Sequence, residues 1–359
     1  MIENVHTEAL PRLLTTAIGS LPHLEAGSAV ELILKSLSVA PHLPQLSRLD
    51  PREQMWIQFS EELPGFTADL DKLKYYFQTS EEHSILVEKF YEDYMAIVEG
   101  ASSSAFKISS DYGLGIKLFF DELSRNQSRY SIIKAQVTGP LSFALAVTDE
   151  NGKPIFYHPL FRDVAVKGMG LKAIWLIEKF KPFAENIIVF FDEPSLSAYG
   201  SSAFLGVSSS DVIESLNDVF SMASSRGALT GVHCCGNTEW SLLMQTDVDI
   251  INFDAVDYME SLAIYPEQLS SFLERGGVLA WGAVPNDGRI NQETVADSLM
   301  RLRKGVSFLE EKGVNRDLLL KRIIVTPACG CAGLTVGEVE KVYEILSSID
   351  KMEFDQVFR

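Results

Sequence analysis

The stretch IIVFFDEPSL, residues 187–196, sets five apolar β-formers against two carboxylates and a proline. Apolar, β-rich segments of this kind recur at about residues 13–18, 105–109, 132–137, 187–191, 228–232, 250–253, 278–281 and 322–325. Between them, helical spacing predicts amphipathic helices over residues 81–98, 160–180, 210–225, 293–312 and 336–348. Strand alternating with helix implies parallel strands with helical crossovers, and eight such units close a barrel. An open doubly wound sheet is the alternative, disfavoured because no G-x-G-x-x-G fingerprint follows the first strand. The expected fold is α/β, a single (β/α)8 TIM barrel over residues 1–359. A loop-rich insertion after the first strand, at about 39–77, carries Pro41, Pro44, Pro51 and Pro64. A smaller loop at 148–159 turns at Asn151-Gly152.

Composition limits what such a barrel does. With 46% hydrophobic and 22% charged residues the chain can build a large core. A net charge of −18 argues against a nucleic-acid partner, since such binding draws on clustered Lys and Arg. No run of about 18 apolar residues suggests a membrane span, and MIENVHTEALPRLL lacks the pattern of a secretory leader, so a cytoplasmic location is expected. In that reducing compartment clustered cysteines read as metal ligands or catalytic thiols before disulfides, with buried packing as the bland alternative.

All four cysteines fall in two clusters, GVHCCGNTEW (231–240) and TPACGCAG (326–333). Both follow strands. Side chains at the C-terminal ends of barrel strands share one mouth, where such enzymes do their chemistry. That places Gly19 and Ser20 after strand one, Asp111 after two, Thr138 to Pro140 after three and Asp192 to Pro194 after four. His233 and Cys235 follow strand five, Asp254 six, Gly282 seven and Cys329 eight. His233 and Cys235 lie two apart, so in extended chain they share a side while Cys234 points oppositely. Cys329 supplies a third donor. A His–Cys–Cys set suits catalytic Zn²⁺, which keeps three protein ligands and an open position. A thiolate-rich shell acidifies water less well than a His-rich one but keeps a bound substrate sulfur nucleophilic, favouring thiol alkylation over hydrolysis.

Five segments carry a family resemblance: TTAIGSLPH (15–23), VTGP (137–140), DEPSL (192–196), VHCCGN (232–237) and TPACG (326–330). Together, and in this order, they resemble the catalytic half of cobalamin-independent methionine synthase. Its superfamily includes uroporphyrinogen decarboxylase and methylcobalamin:coenzyme M methyltransferases, and the Cys-Gly-Asn tail of VHCCGN is nearer the coenzyme M branch. The resemblance implies a zinc enzyme with His233, Cys235 and Cys329 as ligands. Asp254 stands where the family has a fourth, glutamate ligand, with Glu193 or Cys331 as substitutes. Ile18, Gly19 and Ser20 fall on the positions that bind the homocysteine carboxylate, and Asp192 on the acid that pairs with its ammonium. The catalytic set is thus His233, Cys235, Cys329 and Asp192.

Departures from the family bear on the methyl donor. The chain has one barrel's length, where the long methionine synthases have two, and AWGAVPNDGR (280–289) lacks the family's histidine after strand seven, leaving Asp287 nearest. Both point to methylcobalamin or a corrinoid protein as donor, since a corrinoid leaving group needs no proton. The competing readings are folate-dependent methionine synthesis, methylation of another small thiol such as coenzyme M, a porphyrinogen-type decarboxylase, and an accessory protein without turnover. His23 reads as a turn residue with a satisfied ring, and Arg48, Asp50, Gln58 and Glu62 as solvated loop residues. Asp111 and Tyr112 either reach the mouth or cap a helix. Cys234 and Cys331 read as packing residues.

Overall fold

The computed structural model describes residues 7–358 apart from 71, 73, 128, 202 and 203. The first six residues of the stretch read for a leader lie outside it. Ten strands are labelled in chain order: β1 (Leu13–Thr15), β2 (Phe66–Asp69), β3 (Lys74–Phe77), β4 (Tyr130–Thr138), β5 (Thr148–Asp149), β6 (Ala184–Asp192), β7 (Leu229–Cys234), β8 (Ile250–Asp254), β9 (Val278–Val284) and β10 (Ile323–Pro327). Seven of them form one parallel sheet in the order β1-β10-β9-β8-β7-β6-β4. The sheet is curled and TIM-barrel-like, but among the described residues it is not a closed eight-stranded barrel.

The expected second strand at 105–109 is absent; a 3₁₀ turn, Ser103–Phe106, stands there. Residues 39–46, expected as the start of the insertion, span the gap between β1 and β4 instead. On one side Ile132 N donates to Val39 O, Lys134 N to Pro41 O and Leu43 N to Lys134 O; on the other Gln45 N donates to Gly19 O and Leu21 N to Gln45 O. Only isolated bridges result, Ser20 with Gln45 and His42 with Lys134. Pro41 and Pro44 explain this, because neither has an N–H to give to a ladder. The insertion therefore follows this segment rather than the first strand. It holds the β2–β3 hairpin, which β5 extends in parallel, and it touches the sheet where Thr138 Oγ1 donates to Met55 O at 2.6 Å.

The helices match the apolar spacing more closely. Those at Glu81–Val98, Pro159–Phe180, Ser209–Ser224, Val295–Glu311 and Val336–Asp350 lie within two residues of expectation. Capping boxes at Ser208/Asp211, Thr294/Asp297 and Thr335/Glu338 fix three of the starts by satisfying backbone N–H groups that the first turn leaves free. Among the described residues no helix is long and apolar enough to cross a membrane.

Strand alternation sorts side chains into two cores. Val137, Val189, Phe191, Val232, Cys234, Phe253 and Trp281 face outward into the layer beneath the helices. Leu14, Ala40, Ile132, Ile188, Phe190, Leu229, Ile250, Val278 and Ile324 pack inside the curl. Above this apolar floor the inward positions turn polar: Lys134, Gln136, His233, Asn252 and Thr326 are all buried.

A second buried lysine, Lys172, lies on the long Pro159–Phe180 helix, where Nζ donates to Lys107 O at 3.3 Å. Burial pushes its pKa from the usual 10.5 down to about 7, against partial support from Glu61 and Glu62. Below the folded value the ammonium is charged in both states and opposes folding. Between about 7 and 10.5 the unfolded chain binds the extra proton, so this group adds stability as pH rises, by up to about 1.4 kcal/mol per unit. Urea unfolding of Lys172→Met is expected to show a flatter pH dependence over that window than the wild type, and parallel curves would refute the assignment.

Candidate metal centre

His233 is the last inward residue of β7, Cys235 follows the strand directly, and Cys329 lies two residues past β10. Ligand atoms of all three lie within 4.8 Å of one another. His233 Nε2 and Cys329 Sγ are 3.4 Å apart. A tetrahedral zinc with usual Zn–N and Zn–S bonds sets such a pair about 3.6 Å apart, so the donor set fits a soft divalent ion by both chemistry and spacing. His233 Nδ1 donates to Asn252 Oδ1 at 2.5 Å, which leaves the Nε2 lone pair facing the sulfurs. The Cys329 thiol bonds to Cys235 and, with His233 beside it, holds Cys235 well below the usual thiol range; the same bond and burial push Cys329 upward. Cys234 faces away, buried, with burial pushing its thiol up to about 12.

Asp192 ends β6 and pairs in register with His233. Its Oδ1 is buried and finds no hydrogen-bond partner among the described residues. Burial raises its pKa to about 6, although Lys134 and His233 favour the charged form. Lys134 Nζ donates to Ile18 O at 2.7 Å and sits 4.7 Å above the Phe190 ring. Burial pushes Lys134 down to about 8, with Asp192 acting against the shift. Through Ile18 this lysine anchors the turn that carries Gly19 and Ser20. Gly19 has φ +130°, and a Cβ there would lie 2.3 Å from Gln136 Nε2, so the turn requires glycine. Ser20 O accepts from Cys331 N at 2.8 Å. A Cβ on Gly330 would stand 1.9 Å from Ser20 Oγ, so the hydroxyl lies against the residue next to Cys329.

Other expected residues are not gathered here. Asp254 Oδ1 accepts from Val256 N at 2.7 Å and Asp257 N at 3.0 Å, holding a turn, and Asp254 does not join the cluster of three. Glu193 is fully buried and accepts from Leu141 N and Ser142 N, at the start of the helix Pro140–Ala146. Cys331 is buried, and its thiol is pushed up to about 12 by burial. None of the three suggested fourth ligands therefore meets the others in this arrangement. Gln58, expected in a solvated loop, is buried; it accepts from Gln45 Nε2 and donates to Tyr112 O. His23 is buried, and its Nδ1 finds no partner among the described residues, so it is not a satisfied turn residue. Lys134 and Asn252 are not among the expected residues, yet IIKAQVT and IINFD each set a polar side chain on the inward phase of an apolar strand, which is the signal that marks them.

No family model matches the chain, and no curated protein matches it. Among solved structures the chain is similar to a protein from Listeria monocytogenes described as a candidate vitamin-B12 independent methionine synthase. The TM-score is 0.50 at 12% identity, over 93% of this chain and 86% of that one. At that identity the likeness is one of fold: a TIM-barrel-like α/β architecture spanning nearly the whole of both chains.

Proposed function

We propose that the chain is a zinc-dependent methyltransferase moving a methyl group from a methylcorrinoid to the thiol of homocysteine, giving methionine. The reading treats residues 1–359 as one cytoplasmic catalytic unit whose donor arrives free or on a corrinoid protein. The observation that carries it is the meeting of His233, Cys235 and Cys329 beside a carboxylate oxygen of Asp192 that has no partner. Zinc held by that set would keep a substrate thiol ionised and nucleophilic near neutral pH.

The protein's own groups would do the positioning. Asp192 offers a charge suited to an α-ammonium, and the Gly19-Ser20 turn lies on the Cys329 side for the α-carboxylate. Gripping both ends of an amino-acid thiol fixes its sulfur in line for attack. In the transfer the thiol, having lost its proton to solvent on binding, forms a sulfur–carbon bond as the donor's cobalt–carbon bond breaks, and the corrinoid leaves with the bonding pair. A folate nitrogen leaves poorly without a proton, whereas a corrinoid needs none. Asp287, the nearest ionisable residue after β9, accepts from Arg289 N and Nε, and that guanidinium holds its carboxyl below the usual range. It is poorly suited to act as an acid, which supports a donor that requires none.

Zinc-loaded protein with homocysteine is expected to form methionine from methylcobalamin and little from methyltetrahydrofolate. Steady methionine from the folate with none from methylcobalamin would overturn the donor and leave the thiol site standing.

A further inference from the structure

Resting on the metal-centre reading above, we infer that Asn252 is a positioning residue that fixes which nitrogen of His233 meets the metal. Asn252 is fully buried on β8. Its Nδ2 donates to Ala280 O at 3.0 Å and to Thr326 Oγ1 at 2.8 Å. A backbone carbonyl only accepts. Thr326 Oγ1 gives its own proton to Pro327 O at 2.9 Å, so it too accepts from Asn252. Both partners demand the NH₂ end of the amide, and Oδ1 must therefore face His233. An oxygen at that position requires a proton on Nδ1, and in neutral imidazole the lone pair then lies on Nε2, toward Cys329 Sγ. Turning the amide over would set Oδ1 against Ala280 O and force the proton onto Nε2, which could then hold no cation.

The same side chain spans four strands. It sits on β8 and reaches His233 on β7, Ala280 on β9 and Thr326 on β10. His233 is two residues from Cys235, and Thr326 is three before Cys329. One amide thus sets the tautomer of the nitrogen ligand, and its two donated bonds hold it in that orientation. Such partners of a metal-bound histidine typically change metal affinity 10- to 100-fold when lost.

Zinc competition against a chromophoric chelator, thermal melting and ¹⁵N NMR of the imidazoles test this together. Asn252→Leu is expected to weaken zinc binding roughly 10- to 100-fold. Asn252→Asp, which restores an acceptor for His233 but no donor for Ala280 or Thr326, should melt lower than wild type yet keep zinc within about threefold. A merely structural role would move melting temperature and affinity in step in both variants, and that result overturns the inference. In zinc-loaded wild type, His233 should be protonated at Nδ1 and metal-bound at Nε2; the reverse also overturns it. This measurement stands even where Asn252→Leu fails to fold. If the wild type takes up no zinc, the metal centre itself fails, and the tautomer of metal-free His233, read above the pH at which the ring becomes neutral, decides separately: Nδ1–H supports the role of Asn252, Nε2–H refutes it.

Discussion

Cys235→Ser and Cys329→Ser proteins are expected to lose stoichiometric zinc and to drop in methyl transfer on the order of a hundredfold or more, while Cys234→Ser keeps both. The contrast between adjacent residues follows from strand geometry. Cys234 continues the outward phase of β7 with Val232 and is packed beneath the helices, whereas Cys235 returns to the inward phase of His233. Serine at 235 or 329 replaces a soft thiolate with a hydroxyl that stays protonated near neutral pH, so the site loses a ligand as well as a charge. Serine at 234 keeps an acceptor in Gly236 O, which Cys234 Sγ already reaches at 3.5 Å, so its effect falls on packing. Metal analysis of the three purified variants checks this. Zinc lost from Cys234→Ser but retained by Cys235→Ser would reverse the phase of the strand and remove the proposed centre.

The second large effect concerns substrate choice. Asp192→Asn is expected to lower kcat/KM for homocysteine by roughly tenfold or more, because a hydrogen bond to a charged group contributes about 1.5–3 kcal/mol. The carboxylate oxygen without a partner is the reason to expect so much: a group that costs free energy to bury unpaired gains most when a cation meets it. Zinc content should stay unchanged. A thiol without an amino group, such as mercaptoethanesulfonate, should lose little, and equal losses for both thiols would take Asp192 out of the ammonium role.

Apolar content in the sequence is a sound guide to seven of the eight strand positions and to the five helices, although the Pro159–Phe180 helix is buried on nearly every side and is not the amphipathic helix expected there. It misplaced the second strand position because residues 39–46 contain two prolines, which read as loop, yet their carbonyls and remaining amides still bridge β1 and β4. Residues 105–109 have β-forming composition, but the chain there turns over the Pro159–Phe180 helix rather than joining the sheet. Within the site, spacing alone brings His233, Cys235 and Cys329 to one end of the curl. What it could not supply was the competition for each carboxylate. Asp254 sits at the expected strand end, but two backbone amides in its own turn claim Oδ1, and Glu193 is claimed by the helix beginning at Pro140. Lys134 and Asn252 show in the sequence as polar residues on the inward phase of apolar strands, but their roles depend on partners on other strands.

Thiol methylation at this centre needs a soft metal with a position open to a thiol, and zinc-edge X-ray absorption with and without homocysteine tests that most directly. The expected result is one nitrogen and two sulfur neighbours plus a light ligand in the free protein, with a third sulfur replacing the light ligand when homocysteine is added. A sulfur count that stays the same on adding homocysteine, or a shell without sulfur, would contradict it.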